Sequence, residues 1–265
     1  MEPLTASKGP GRSPAGLGAV VSAIIPCLDE EEAIGPVVRD VLDQGLAETV
    51  VVDGGSRDRT VERAEAAGAR VVIEPRRGYG RAILTGIAAA RPDATILLFL
   101  DGDGSDRPQF IPDMIRPIAT GQADFVHGTR VRGEREPGSL SPQQLVAGRI
   151  AGLLLRATYG VRFSDMSPYR AIRRDVLDRL GMREESFGWN LEMLMRIAAS
   201  GVRALEIPVG QQRRAGGVSK VSGNLRASLT ATAAIAATFM RLRRNLAPRN
   251  LGDRSTTAHH EEPRP

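Results

Sequence analysis

Thr95-Ile96-Leu97-Leu98-Phe99-Leu100-Asp101-Gly102-Asp103-Gly104 is the stretch on which the fold turns. From Thr95 to Leu100 it is apolar almost throughout, as a strand covered on both faces must be. It then breaks into a turn carrying two carboxylates. Working back toward the N-terminus, strand and helix patterns alternate. Arg70–Ile73 reads as a strand, followed by a helix over Gly80–Ala90. Thr49–Val52 is a strand ended by Asp53-Gly54-Gly55-Ser56, with a helix over Thr60–Ala67 that stops at Gly68, a residue that tolerates positive φ. Val20–Ile25 is a β-branched strand, and Ile34, Val37, Val38, Val41 and Leu42 give Glu30–Gln44 helical spacing. Strands alternating with helices predict an α/β fold with a doubly wound, mostly parallel sheet. In such sheets ligands bind beyond the carboxyl ends of the strands, and all four ends here carry polar or Gly-rich loops.

Toward the C-terminus the pattern is less regular. Asp124–Val126 reads as a strand, Gln143–Thr158 as an amphipathic helix, and Tyr169–Arg173 as a short extended piece. Helices follow over Asp175–Leu180 and Phe187–Ala199, then a strand over Ala204–Val209 and a basic loop over Arg213–Lys220. Asn224–Arg244 is expected to be an amphipathic helix whose Leu225, Leu229, Ile235, Ala236, Phe239 and Leu242 share an apolar face, closed by Arg241, Arg243 and Arg244. The expected organisation is a flexible leader over 1–18, a catalytic domain over 19–222, the amphipathic helix over 223–244 and a disordered tail over 245–265.

Composition narrows the functions. With 265 residues and 42% apolar content, the chain can bury a sizeable core. Its net charge of +5 suits a phosphorylated substrate or an anionic membrane. Nucleic acid is disfavoured, because 3 Tyr and 1 Trp offer few stacking platforms and no basic surface is interleaved with aromatics. A single cysteine, Cys27, rules out a disulfide framework and a multi-cysteine zinc site, and reads as a buried small residue. His127, His259 and His260 have no metal-binding or relay spacing. No segment approaches the ~20 apolar residues of a membrane span, so the cytoplasm or its membrane face is the expected location.

Asp101 and Asp103, at i and i+2 in a Gly-containing turn, can both approach one cation. Mg²⁺ or Mn²⁺ favours such hard oxygen ligands and keeps positions open for diphosphate oxygens. The ion would neutralise charge developing on a departing diphosphate.

Seven segments in order then resemble glycosyltransferase family 2, in its dolichyl-phosphate mannosyltransferase-like branch. They are Ile24–Glu31, Val50–Thr60, Gly78–Ala82, Leu100–Pro108, Gly128–Arg130, Asp165–Arg174 and Gly216–Lys220, the last reading GGVSK. The resemblance implies a GT-A fold, a UDP- or GDP-sugar donor and inversion at the anomeric carbon. It places Pro26, Asp29, Glu30, Asp53 and Gly80 around the donor nucleotide, Asp101 and Asp103 at the metal and diphosphate, and Arg130, Arg214, Ser219 and Lys220 at phosphate groups. Departures fall at Asp29, where the family has Asn, at Gly54, where it has Asp, at Ser105 in place of a Gln, and at Pro168-Tyr169 in place of Gly-Phe.

The most direct acceptor is a polyprenyl phosphate, already ionised near neutrality, which needs positioning more than a base. A hydroxyl acceptor would require a carboxylate base, for which Asp165 and Glu192 are candidates. The terminal helix, with its Arg cluster, is compatible with peripheral membrane contact or with packing on the domain. Two other readings stand further off: a haloacid-dehalogenase-like phosphatase with Asp101 as nucleophile, and a non-catalytic nucleotide-sugar-binding protein.

Overall fold

The structure is a computed structural model describing residues 18–215 and 235–244. The leader up to residue 17, the GGVSK segment with Ser219 and Lys220, the first part of the terminal helix and the tail lie outside the described residues. The elements run β1 (Val21–Cys27), α1 (Ile34–Leu42), β2 (Glu48–Asp53), α2 (Thr60–Ala66), β3 (Arg70–Ile73), α3 (Tyr79–Ala89), β4 (Ile96–Phe99) and α4 (Ile111–Ala119). They continue with β5 (Phe125–Thr129), α5 (Pro142–Tyr159), β6 (Arg170–Arg173), α6 (Arg174–Leu180), α7 (Trp189–Ser200) and β7 (Ala204–Pro208).

These strands form one seven-stranded sheet in the order β3-β2-β1-β4-β6-β5-β7. The strand order reverses between β1 and β4, which pair in parallel, as β1 does with β2 and β2 with β3. β6 runs antiparallel to both β4 and β5, and β5 and β7 are parallel. The sheet is thus mostly parallel, with one reversed strand in its middle.

Helices cover both faces, which explains the unbroken apolar strands. Along β4, Leu97 and Phe99 join one core with α3, α5, α6 and α7, while Ile96 and Leu98 join the other with α1 and α4. Alternate side chains point to opposite faces, so both must be apolar when both faces are covered. The Gln143–Thr158 pattern becomes α5, begun by a capping box in which Ser141 and Gln144 satisfy each other's backbone N–H groups. The helix α4 was absent from the sequence reading. Its buried Ile111, Met114, Ile115 and Ile118 follow helical spacing, but Pro112 and Pro117 interrupt the pattern. Pro112 lies in the first turn, where an N–H has no helical partner anyway.

Residues 235–244 are helical, as expected. Part of the apolar face is spent on packing: Phe239 and Leu242 are buried in the core shared with α5 and α7. Among the described residues, no helix is long and apolar enough to cross a membrane.

Candidate functional site

The loops after β1, β2 and β4 meet where the strand order reverses, the position at which open α/β sheets bind ligands. Those after β1 and β2 are stitched together. The Asp29 N–H donates to Ser56 Oγ (2.8 Å), the Glu30 N–H to Thr60 Oγ1 (2.8 Å), and the Arg57 N–H to Asp29 Oδ1 (2.9 Å). Asp29 has φ of 52°, a left-handed conformation that Asn and Asp adopt more readily than other side chains. Its side chain serves here as an acceptor, a role that aspartate fills as well as asparagine. Asp53 folds its own loop by accepting from the N–H groups of Gly55 (2.9 Å) and Ser56 (3.0 Å) and from the Ser56 hydroxyl. Pro26 is half-buried near the end of β1, and Glu30 is buried beyond it.

The acidic turn follows β4. Asp103 Oδ1 accepts the Ser105 N–H (2.8 Å), so Ser105 contributes its backbone rather than an amide side chain. The Asp103 carbonyl accepts the Ala215 N–H (3.1 Å), and Asp103 Oδ2 is ion-paired with Arg214 Nε at 3.2 Å. Arg214 also reaches Glu30 Oε1 at 2.6 Å, bridging the loops after β1 and β4. A Cβ at Gly102 would lie 2.2 Å from Cys27 Sγ, so the turn rests directly on the only thiol. Burial pushes that thiol well above its ordinary range, and the carboxylates of Glu30, Asp53, Asp101 and Asp103 add to the effect.

Two further residues at this turn escaped the sequence reading. Tyr79 donates its hydroxyl to Asp101 Oδ1 (3.2 Å) and stacks on the exposed Phe187, with ring centroids 5.7 Å apart. Its place between Gly78 and Gly80 was the available signal. Asp106 accepts the Asp101 N–H on Oδ2 (3.0 Å), while its Oδ1 is buried with no hydrogen-bond partner among the described residues. Burial and the Asp103 charge push Asp106 up to about 7. Asp101 is pushed well above the carboxylate range by burial and then by Asp103 and Asp106. Burial thus disfavours the charged form of both groups, and the nearby carboxylates add to it.

Across the crevice, Arg130 and Asp165 form a buried bidentate pair, with Nε to Oδ2 at 2.7 Å and Nη2 to Oδ1 at 2.9 Å; the Arg130 N–H also donates to Oδ2 (3.0 Å). Burial alone would raise the Asp165 carboxyl, but the guanidinium overrides it and holds the group at about 2. Arg170, another residue the sequence reading left aside, is fully buried. It donates to the carbonyls of Ser167 and Asn190 (both 2.8 Å) and leaves Nη2 without a partner among the described residues. Burial lowers it to about 10.

The geometry bears on three of the expected site residues. Asp165, locked to Arg130 and held near 2, is a poor general base. Glu192 accepts from the N–H groups of Arg183 (3.0 Å) and Glu184 (2.7 Å) and pairs with Arg196 (2.7 Å), contacts that hold the segment before α7. Gly80 is closely packed, since a Cβ there would lie 2.2 Å from the Glu184 carbonyl oxygen.

The donor set at the turn suits a hard divalent ion. Among the described residues, no three His, Cys, Asp or Glu side chains are arranged to hold one alone. Asp101 and Asp103 would leave coordination positions for other oxygens, the usual arrangement of Mg²⁺ with phosphates.

A model of glycosyl transferase family 2 matches residues 22–181. The chain belongs to that family. The uncharacterised glycosyltransferase Rv0539 of Mycobacterium tuberculosis is 38% identical over 216 residues, covering 81% of this chain and 95% of the relative. The dolichyl-phosphate hexose transferase of Haloferax volcanii is 32% identical over 200 residues, covering 74% and 84%. Among solved structures, glucosyl-3-phosphoglycerate synthase from M. tuberculosis, in complex with Mn²⁺, UDP-glucose and phosphoglyceric acid, overlays with a TM-score of 0.67 at 23% identity. The match covers 87% of this chain and 82% of that one and shows the common GT-A fold. The protein is accordingly a family 2 glycosyltransferase.

Proposed function

We propose that this enzyme transfers a sugar, with inversion, from a UDP- or GDP-sugar to a polyprenyl phosphate at the cytoplasmic face of a membrane. The observation that carries the acceptor assignment is the state of the two candidate bases. Asp165 is neutralised by Arg130, and Glu192 is bound into the backbone of residues 183–184. A lipid monophosphate, whose second pKa is ~6 by analogy with phosphomonoesters, arrives ionised and needs no base. Transfer by the dolichyl-phosphate hexose transferase of H. volcanii supports the same acceptor class.

In this reading residues 19–222 form the catalytic domain and 223–244 an appended helix. Pro26, Asp29, Glu30, Asp53 and the loop around Gly80 border the donor nucleotide. Asp101 and Asp103 hold Mg²⁺ or Mn²⁺, which when bound offsets charge on the departing diphosphate. Asp101 and Asp106, raised by burial and then by neighbouring carboxylates, would be relieved by a cation there. Arg130, Arg214, Ser219 and Lys220 meet phosphate groups, for which Arg offers a planar fork and Lys a compact charge. Arg214, already lying across Asp103 and Glu30, would exchange carboxylate partners for phosphate oxygens.

A second reading has one observation in its favour. Asp106, at about 7 with one carboxylate oxygen unpartnered, is suited to deprotonating a hydroxyl acceptor. Incubation with Mn²⁺ or Mg²⁺, radiolabelled UDP- and GDP-sugars and polyprenyl phosphate separates the two. The expected product is an organic-soluble, acid-labile glycosyl phospholipid. Label passing only to hydroxyl acceptors would overturn the lipid-phosphate assignment, and undiminished transfer by folded Asp103→Ala would remove the metal role.

A further inference from the structure

We infer that the outer face of α5 is the surface through which this enzyme binds an anionic lipid bilayer. The apolar face of the terminal helix was the natural candidate from sequence, but Phe239 and Leu242 are buried in the core. Met240 is left exposed there, and among the described residues the other exposed large apolar side chains that share one helix are the pair on α5. Leu153 is 65% exposed and Val146 is 43% exposed. At about 100° per residue they fall on one side of the helix, with the exposed Arg149 and Arg156 along its border. The opposite side is fixed against the protein: a Cβ at Gly152 would lie 2.3 Å from the Phe163 carbonyl oxygen, and Ala151 and Leu155 are buried.

Charge complementarity selects the partner. The sequence of α5 contains two arginines and no acidic residue, and neither arginine forms an ion pair among the described residues. The basic end of the terminal helix adds to it, since Arg243 lies close enough to act on the Tyr159 phenol at the end of α5. Apolar side chains bordered by long cationic ones match a bilayer interface, where the chains enter the acyl boundary and the guanidiniums remain among anionic headgroups. A soluble acidic protein would satisfy the arginines but would leave Val146 and Leu153 without a matching apolar environment along so small a strip.

Position links this surface to the chemistry. Gly148, on the inner side of α5, approaches Asp165: a Cβ there would lie 3.5 Å from both Asp165 Cα and Oδ1. The helix that would rest on the bilayer therefore lies directly over the Arg130–Asp165 pair. This consequence, though not the membrane contact itself, rests on the lipid-phosphate reading proposed above.

The test is co-sedimentation of the full chain with vesicles of phosphatidylcholine alone or mixed with phosphatidylglycerol, both without polyprenyl phosphate. The wild-type protein should bind the mixed vesicles and favour them over the neutral ones. Val146→Asp combined with Leu153→Asp should weaken that binding by roughly tenfold or more, because two apolar side chains are withdrawn from the interface. Arg149→Gln with Arg156→Gln should reduce the preference for anionic vesicles while leaving circular dichroism unchanged. Equal binding by wild type and the Val146/Leu153 variant, or no binding by wild type, would overturn the inference. If the vesicle results come out as expected but label never reaches polyprenyl phosphate, the surface stands and the acceptor assignment fails.

Discussion

Gly102→Ala is the most direct probe of how the acidic turn is supported. The added methyl would sit 2.2 Å from Cys27 Sγ, with Ile25 Cγ2 at 3.3 Å and Ile34 Cδ1 at 3.4 Å. The latter two contacts are tight but tolerable with small shifts; the sulfur contact is not. Gly102 is also absent from the positive-φ positions, so its backbone does not itself forbid alanine. Either the turn or the β1 end must move, and overpacking of this kind costs about 1–3 kcal/mol. Displacing Asp101 and Asp103 by about 1 Å would reduce transfer on the order of 100-fold. Cys27→Ala removes only the offending atom, leaving room for the new methyl. The double variant Cys27→Ala/Gly102→Ala should therefore be more stable than the sum of the single effects, with a coupling of about 1–3 kcal/mol. Urea unfolding of all four proteins measures the coupling, and Mn²⁺ titration in the presence of nucleoside diphosphate reports the turn geometry. Strict additivity, or a Gly102→Ala protein indistinguishable from wild type in both assays, would refute the support of the turn by Cys27.

Five other outcomes follow from the structure. Arg130→Ala strands a buried carboxylate and should cost about 3–5 kcal/mol in urea unfolding. Asp165 titrates at about 2 in the folded chain against an ordinary 3.8, so the native state binds fewer protons between those values. Its stabilisation is present above pH 3.8 and is lost as pH falls through 2. Buried His127, lowered to about 3 first by burial and then by Arg170, extends the acid loss upward to 6.5, so His127→Gln should flatten unfolding free energy between pH 6.5 and 4. Tyr79→Phe removes the hydroxyl that orients Asp101 and should lower kcat/KM about tenfold with folding intact. Glu192→Gln should reduce stability by about 1–3 kcal/mol and leave the pH dependence of kcat unchanged, since among the described residues that carboxylate binds backbone and Arg196.

The first half of the fold was legible because its periodicity and its topology agree. Each parallel strand from β1 to β4 is followed by a helix or a polar loop at the crevice, and a strand buried on both faces announces itself as an uninterrupted apolar run. The reversed strand β6 was not legible as such. Tyr169–Arg173 reads as extended, yet nothing local says that it enters between β4 and β5 or in which direction. α4 escaped because two prolines obscured an otherwise regular helical spacing. At the site, Asp101, Asp103 and Glu30 were visible as side chains at strand ends. The pairing of Arg130 with Asp165 was not, because it depends on a tertiary contact across β5 and the segment after α5. The same holds for Tyr79, whose contact with Asp101 joins the start of α3 to the end of β4.

The place of β6 in the sheet has a consequence for synthesis on the ribosome. β1, β2, β3 and β4 find all their mutual neighbours among themselves, so this part of the sheet, with the acidic turn at its edge, can assemble as soon as it emerges. β5 cannot join it, because its partners are β6 and β7, both made later. Until β6 arrives, the nascent chain carries an open edge at β4 and an apolar, unpaired β5, the kind of exposed edge that invites pairing with other chains. The half that holds Asp101 and Asp103 is thus synthesised before the half that holds Arg130 and Asp165, and in the interval the open β4 edge is the chain's point of greatest exposure to wrong pairing.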